Sequence, residues 1–116
     1  MIVRLWATRV DKSRSEEYEE NERNRSTPMF RAQPGCLGVL FLRSGGESFA
    51  LTFWRDIEAV ERLKTSQSYL EASAFYADSG MLINQPSLQV FEVNGGFLDS
   101  AIAENRNITP SRRRRS

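Results

Sequence analysis

Two apolar segments joined by a glycine pair constrain the fold of this 116-residue chain more than any other feature. The segment from Cys36 to Arg43 is almost continuously apolar, and the segment from Ser48 to Arg55 is also mainly apolar. Between them, Ser44-Gly45-Gly46-Glu47 supplies residues that accept positive φ, as a tight hairpin turn requires. The pattern predicts two antiparallel strands whose side chains need cover on both faces of a sheet.

The segments before this hairpin predict a strand and a polar helix. The segment from Ile2 to Val10 is rich in β-branched and aromatic residues and is typical of a strand. A helix capped by Ser13 or Ser15 is predicted over about residues 14–25, and the run from Glu16 to Glu22 is interpreted as its solvated face. We expect Pro28 to end or kink this helix, because proline lacks the backbone N–H that a helix interior needs.

The segments after the hairpin predict two helices and a last strand. The first helix is expected from Ile57 to Lys64 with Asp56 as its N-cap, and the second from Ser66 to about Ser79. The last strand is expected from Leu88 to Val93. The order β-α-β-β-α-(α)-β is that of the α+β, ferredoxin-like split-βαβ fold, in which a four-stranded antiparallel sheet carries its helices on one face.

The second face of such a sheet predicts a homodimer. Each large apolar side chain left in water forfeits roughly 1.5–3 kcal/mol. A chain of this length buries only part of its surface when it folds alone. Packing the free sheet face against a second copy of the chain is the simplest way to cover it.

The charge balance argues against a nucleic-acid partner. The chain has 16 Lys and Arg against 15 Asp and Glu, a net charge of +1. Four of the basic residues form the terminal run from Arg112 to Arg115; without them the count is 12 against 15, or −3. A mildly acidic body has no electrostatic footprint for nucleic acid. We therefore predict a folded domain over residues 1–96 and a C-terminal extension over residues 97–116 that ends in a disordered, arginine-rich tail.

Residue usage argues against disulfides, metals and membrane insertion. Cys36 is the single cysteine and the chain has no histidine, so no internal disulfide can form and no zinc site is expected. No segment approaches the ~20 consecutive apolar residues of a membrane-spanning helix. The expected location is therefore the cytoplasm.

Three short motifs occur in an order and at separations that match a known family. The segment from Arg31 to Gly38 (RAQPGCLG) looks like a link between a first helix and a second strand. The segment from Phe53 to Ala59 (FWRDIEA) places a tryptophan at the end of strand three. The third is the segment from Thr65 to Leu70 (TSQSYL), followed by the closing segment from Val90 to Val93 (VFEV). Over roughly residues 2–93 the sequence resembles the antibiotic-biosynthesis monooxygenase family.

The resemblance implies a dimeric α/β barrel, in which two sheets pack face to face and each subunit holds a small-molecule pocket between its helices and its sheet. Several members oxidise phenols or quinols with molecular oxygen and no metal, flavin or haem, whereas others degrade haem. The leading hypothesis is thus a cofactor-independent monooxygenase for a small aromatic phenol or quinol. The alternative is a non-catalytic dimeric module that binds a small ligand or only assembles.

Oxygenation without a cofactor needs an apolar pocket that excludes water and stabilises an electron-rich anion. In the family, the tryptophan that ends strand three lies by the pocket, so Trp54 is the first candidate for a lining residue, with Thr52 on the same strand face. Trp6, Phe75 and Tyr76 are the other substrate-binding candidates. The alternative interpretation of each aromatic residue is ordinary core packing.

The catalytic candidates are Tyr69, Tyr76 and Arg4. A tyrosine hydroxyl could bind a substrate oxygen, or assist proton removal if its pKa were lowered. An arginine could hold a phenolate or carboxylate, or form an ion pair at the surface or the dimer interface. The family resemblance also places Ser73 near the axial histidine of the haem-degrading branch, and Ala50 where a quinone-forming branch carries an amide. Both differences argue against those two branches.

Overall fold

The computed structural model describes residues 1–103 and residue 108, and it confirms the predicted α+β fold. Four strands form one antiparallel sheet in the order β2-β3-β1-β4: Ile2–Arg9 (β1), Cys36–Ser44 (β2), Glu47–Trp54 (β3) and Ser87–Glu92 (β4). Four α-helices lie on one face of the sheet: Ser15–Asn21 (α1), Thr27–Arg31 (α2), Ile57–Leu63 (α3) and Gln67–Asp78 (α4). None of the described helices has the length and apolar character needed to cross a bilayer.

Local hydrogen bonds explain where the helices begin. The backbone N–H of Ala59 donates to Asp56 Oδ1 at 2.9 Å, and that of Tyr69 donates to the Ser66 hydroxyl oxygen at 3.4 Å, as predicted for these two caps. The cap predicted for the first helix, Ser13 or Ser15, was wrong. Asp11 caps a short 3-10 turn that precedes α1, with the Ser13 backbone N–H donating to Asp11 Oδ1 at 3.0 Å.

The chain around Pro28 excludes one of the two outcomes predicted there, the end of the helix. Instead of ending, the first helix continues from α1 through a π-helical turn, Glu22–Ser26, into α2, and Pro28 occupies the first turn of α2. The backbone N–H of Thr27 bonds back to the carbonyl oxygen of Glu22, five residues earlier. This wider turn relieves the clash that a proline ring makes with the preceding turn of a regular α-helix.

The helix-facing side of the sheet carries two separate apolar clusters. One contains Ile2, Phe30 and Trp54 together with residues of α3, and the other contains Tyr18 and Tyr76 with neighbouring residues. Between these clusters, β3 contributes three buried side chains that are small or polar, namely Ser48, Ala50 and Thr52. Because these side chains fill little volume, the packing leaves space between sheet and helices at this point.

The opposite side of the sheet is apolar, and none of the described helices lies on it. The pairing register places side chains from all four strands on this free face, which comprises Val3, Leu5, Ala7, Leu40, Leu42, Phe49, Leu51, Phe53, Gln89 and Phe91. Leu42 and Phe91 are 42% and 43% exposed. Apolar patches of this extent mark interaction surfaces on soluble proteins.

A glycine substitution tests the close contact between the β2 entrance and α3. Gly35 has φ +81°, and a methyl group built on it lies 2.5 Å from Cβ of Ala59. We expect Gly35→Ala to lower the free energy of unfolding by about 2 kcal/mol or more, because backbone strain and steric overlap add. Urea unfolding monitored by tryptophan fluorescence measures the loss.

Gly45→Ala is the matched control for this prediction. Gly45 also has a positive φ, +59°, but a methyl group there has no neighbour within 4 Å. It should cost only the backbone strain, about 1 kcal/mol. Equal losses in the two variants would show that the contact with Ala59 contributes nothing.

Candidate functional site

A cavity of about 120 Å³ lies between the sheet and the helices, at the place where the small side chains leave space. Its lining combines side chains from β1, β3, α4 and the first helical segment, which runs from α1 through the π-helical turn to α2. Ala50 of β3 and the small α4 residues Ala72, Ser73 and Ala77 open the volume. The walls are mainly apolar, so the cavity favours a ligand with apolar surface.

Arg4 of β1 brings a positive charge to this cavity. The residue is only 5% exposed, and its Nη2 atom donates to the Tyr69 hydroxyl oxygen at 2.5 Å. The guanidinium carbon also lies 5.2 Å from the centre of the Tyr69 ring. None of the ion pairs found among the described residues includes Arg4. A buried guanidinium without a carboxylate partner is costly in an apolar site, and an anionic ligand would compensate it.

Tyr76 of α4 lines the same cavity as a neutral hydrogen-bonding group. Its hydroxyl lies 2.7 Å from the Ser26 hydroxyl, and its ring centre is 5.5 Å from that of Tyr18. Burial raises the pKa of Tyr76, and burial also raises the pKa of Tyr18. Both hydroxyls therefore stay protonated near neutral pH. The structure thus argues against the lowered pKa that Tyr76 would need to assist proton removal.

Glu22, in the π-helical turn, is a cavity residue that the sequence analysis missed. The interpretation of Glu16 to Glu22 as a solvated face is wrong at this position, because Glu22 is only 8% exposed and lines the cavity. Ser48 Oγ lies 3.4 Å from Glu22 Oε2. Burial raises the pKa of Glu22 to about 7, although the nearby Arg43 guanidinium acts in the opposite direction.

A four-residue spacing in the sequence carries the signal that could have revealed Glu22. Tyr18, Glu22, Ser26 and Phe30 are all buried and all line the cavity. In a regular α-helix, each step of four residues rotates a side chain by about 40° around the axis, so such a stripe drifts away from one face. The wider π-helical turn corrects this drift and keeps all four side chains on the sheet side.

The predicted site residues divide into two groups. Arg4, Trp6, Tyr69 and Tyr76 line the cavity together. The other three, namely Trp54, Thr52 and Phe75, do not contribute to its lining.

Trp54 and Thr52 lie within the packed core. Trp54 is completely buried, and its Nε1–H donates to the Thr52 hydroxyl oxygen at 2.7 Å. Phe75 lies on α4 beside the first helical segment, with the Arg25 guanidinium carbon 3.6 Å from its ring centre. The roles predicted for these three residues would therefore require a larger opening than the cavity of this structure.

Comparison with known proteins identifies the family. Residues 1–74 match the family model described as antibiotic biosynthesis monooxygenase. The chain belongs to this family. No curated protein is similar enough in sequence to count as a match.

Solved structures, some of them described as antibiotic biosynthesis monooxygenases, share the fold. A Nitrosomonas europaea protein described as such a monooxygenase is 15% identical, with a TM-score of 0.70 over 82% of this chain and 100% of its own. A variant of SnoaB, a cofactor-independent oxygenase from Streptomyces nogalater, is 18% identical, with a TM-score of 0.67 over 84% and 97% of the two chains. A variant of MhuD with two manganese protoporphyrin IX molecules per active site is 24% identical, with a TM-score of 0.71 over 85% and 100%.

The buried carboxyl group predicts a specific pH dependence of stability. The pKa of Glu22 rises from an ordinary value of 4.5 to about 7 on folding, so the folded state holds this proton more tightly than the unfolded state. The free energy of unfolding should therefore fall as the pH rises from about 4.5 through about 7. A shift of this size corresponds to about 3 kcal/mol at most. Urea titrations near pH 5 and near pH 8 measure the fall.

Two variants isolate the contribution of Glu22. The Glu22→Gln variant should lack this part of the pH dependence and should be more stable than the unmodified protein near pH 8. The Glu20→Gln variant is the control, because Glu20 is exposed on the same helix. An unchanged pH dependence in Glu22→Gln would contradict the assignment of a buried, titrating carboxyl group.

Proposed function

We propose that this protein is a cofactor-independent monooxygenase that oxidises a small aromatic phenol or quinol with molecular oxygen, and that it works as a homodimer. The observation that carries the proposal is the buried Arg4 guanidinium, which faces an apolar cavity and pairs with no described carboxylate. Membership of the antibiotic biosynthesis monooxygenase family and the fold shared with SnoaB support it.

The chemistry explains why an unpaired arginine suits such a reaction. A phenol reacts with oxygen without a cofactor only after ionisation to an electron-rich phenolate, which can transfer an electron. Arg4 provides a fixed positive charge for that oxyanion, and the Tyr69 hydroxyl, already bonded to Arg4, provides a second polar group at the same place. In a site that excludes water, such preorganised groups stabilise developing charge strongly.

The dimensions of the cavity favour a substrate with one aromatic ring. A cavity of about 120 Å³ is close in size to engineered cavities of about 150 Å³ that bind benzene. Trp6, Met29 and Phe30 supply apolar and aromatic walls that would contact such a ring.

A porphyrin does not fit the residues present. The chain has no histidine for an axial ligand, and the cavity is smaller than the roughly 300–1,000 Å³ of typical pockets for drug-sized ligands. The similarity to MhuD therefore extends to the fold and is not a basis for assigning haem chemistry to this chain.

The free face of the sheet supports the homodimer. Its apolar side chains come from all four strands, and in a single copy they remain in contact with water. Pairing two such faces would bury them in a core shared by the two sheets. The cavity lies on the opposite side of each sheet, so dimerisation leaves it free to bind substrate.

Oxygen uptake by the metal-free protein with a panel of single-ring hydroquinones tests the proposed function. We expect uptake with the unmodified protein and a loss of about 100-fold in kcat/KM for Arg4→Gln, because the charge beside the oxyanion is gone. Lys64→Gln is the control. Lys64 follows α3, its side chain is 66% exposed and it pairs with Glu61 at the surface, so its removal should leave uptake unchanged.

Two outcomes would contradict parts of the proposal. Failure of the whole panel to support oxygen uptake, with the ligands still raising the melting temperature, would identify a non-catalytic binding module. Full activity in Arg4→Gln would show that the arginine does not stabilise the oxyanion.

A further inference from the structure

We propose that the Glu22 carboxylate is the proton acceptor of the cavity and takes the hydroxyl proton of a bound single-ring phenol. This inference rests on the proposed function, and it assigns the base that the reaction needs. It does not follow from the family motifs, because Glu22 lies outside all three of them.

The position of Glu22 is the first argument. It is the only carboxylate among the described residues that line the cavity, which it shares with Arg4 and Tyr69. The π-helical turn keeps its side chain on the sheet side, and unusual turns of this kind occur frequently at functional sites. Glu22 and Arg4 both line this small volume, so a phenol bound in it would have a carboxylate and a guanidinium among the walls of its site.

The surroundings of the carboxylate are the second argument. Glu22 takes part in none of the ion pairs found within the described part of the chain, and the Ser48 hydroxyl donates a hydrogen bond to its Oε2 at 3.4 Å. The charge of Arg43 lowers the pKa of Glu22, but the Arg43 guanidinium forms its ion pair with Glu19, at 3.4 Å. A purely structural buried carboxylate is expected to have short, charge-assisted partners. Glu22 lacks them, so its oxygens can accept a proton.

Burial and the neighbouring charges give the Glu22 carboxylate a proton affinity that suits a general base. Burial and the Glu19 carboxylate raise its pKa, whereas Arg43 of β2, the Ser48 hydroxyl of β3 and Arg23 lower it. The result is a pKa of about 7, close to the operating pH that makes a general base most efficient.

The tyrosines of the cavity are poor alternatives. Burial raises the pKa of both Tyr18 and Tyr76. The Tyr69 hydroxyl already accepts a hydrogen bond from Arg4. With no histidine in the chain, Glu22 is the group best placed to take the proton.

The proton transfer is balanced as an acid–base step. The O–H bond of the phenol breaks, its electron pair stays on the phenol oxygen, and the proton forms a bond to a carboxylate oxygen of Glu22. No electron leaves the ring at this stage. The negative charge moves from Glu22, which has no ion-pair partner, to a phenolate beside Arg4, which lacks one as well. The net charge of the cavity does not change, so the step requires no ion from solvent.

A proton count distinguishes this step from ionisation into solvent. We would bind 3-nitrophenol near pH 7.5, follow its phenolate by visible absorption, and measure the protons released with an indicator dye after correcting for the ionised fraction in solution. The unmodified protein should form phenolate and release far less than one proton for each phenolate formed, because Glu22 retains the proton. In Glu22→Gln, each phenolate that forms should release about one proton.

Glu20→Gln is the matched control and should behave as the unmodified protein does. One proton released per phenolate in the unmodified protein, or the same count in Glu22→Gln, would overturn the inference. The assay involves no oxygen, so its outcome is separate from that of the proposed oxygenation. A protein that retains the proton as expected but consumes no oxygen would contradict the proposed function and would leave the assignment of Glu22 unchanged.

A measurement on the unmodified protein covers the case in which Glu22→Gln fails to fold. Near pH 8 the Glu22 carboxyl is mostly ionised, so binding of unsubstituted phenol should produce the infrared band of a neutral carboxyl group. Absence of that band at saturating phenol would overturn the inference. In the folded variant, oxygen uptake should fall by about 100-fold, in line with the loss of a general base.

Discussion

The π-helical turn Glu22–Ser26 is the constraint on which the site depends. It keeps Tyr18, Glu22, Ser26 and Phe30 on the sheet side over three successive steps of four residues. Without it, the stripe would rotate away from the sheet, and the carboxylate would turn toward water. The same turn allows the helix to continue past Pro28, so one local deviation serves both the path of the chain and the content of the cavity.

The cavity holds opposite charges that do not form an ion pair with each other. Burying an arginine and a glutamate in an apolar site lowers stability unless each is compensated. Arg4 has a tyrosine hydroxyl and Glu22 a distant serine hydroxyl, so neither is fully satisfied. Incompletely compensated charges of this kind are typical of ligand-binding sites. They lower the stability of the unliganded protein, and a bound ligand can compensate them. Small residues on β3 and α4 provide the volume that the ligand would occupy.

Local signals in the sequence were sufficient for most of the fold. The glycine pair between two apolar segments correctly predicted the hairpin of β2 and β3, and Asp56 and Ser66 correctly marked the beginnings of α3 and α4. These features depend on residues that are close together in the chain. The alternation of β1 also placed Arg4 and Trp6 on one face, and both line the cavity.

The parts that were missed depend on tertiary packing. A proline after a polar helix normally predicts its end, whereas here a π-helical turn, in which Glu22 and Ser26 are buried, carries the helix past Pro28. Glu22 follows four other acidic residues in a run typical of a solvated face, and its burial is visible only once the helix is docked. Trp54 was expected at the pocket, but it is fully buried beside Thr52 and does not line the cavity between the two core clusters.

A crystal structure of the protein soaked with a single-ring phenol would test the central claim most directly. We expect the ring in the cavity between the two core clusters, with its oxygen within hydrogen-bond distance of the Arg4 guanidinium. A phenol bound elsewhere, or bound in the cavity with its oxygen directed away from Arg4, would contradict the claim that this buried arginine is the anion site of the protein.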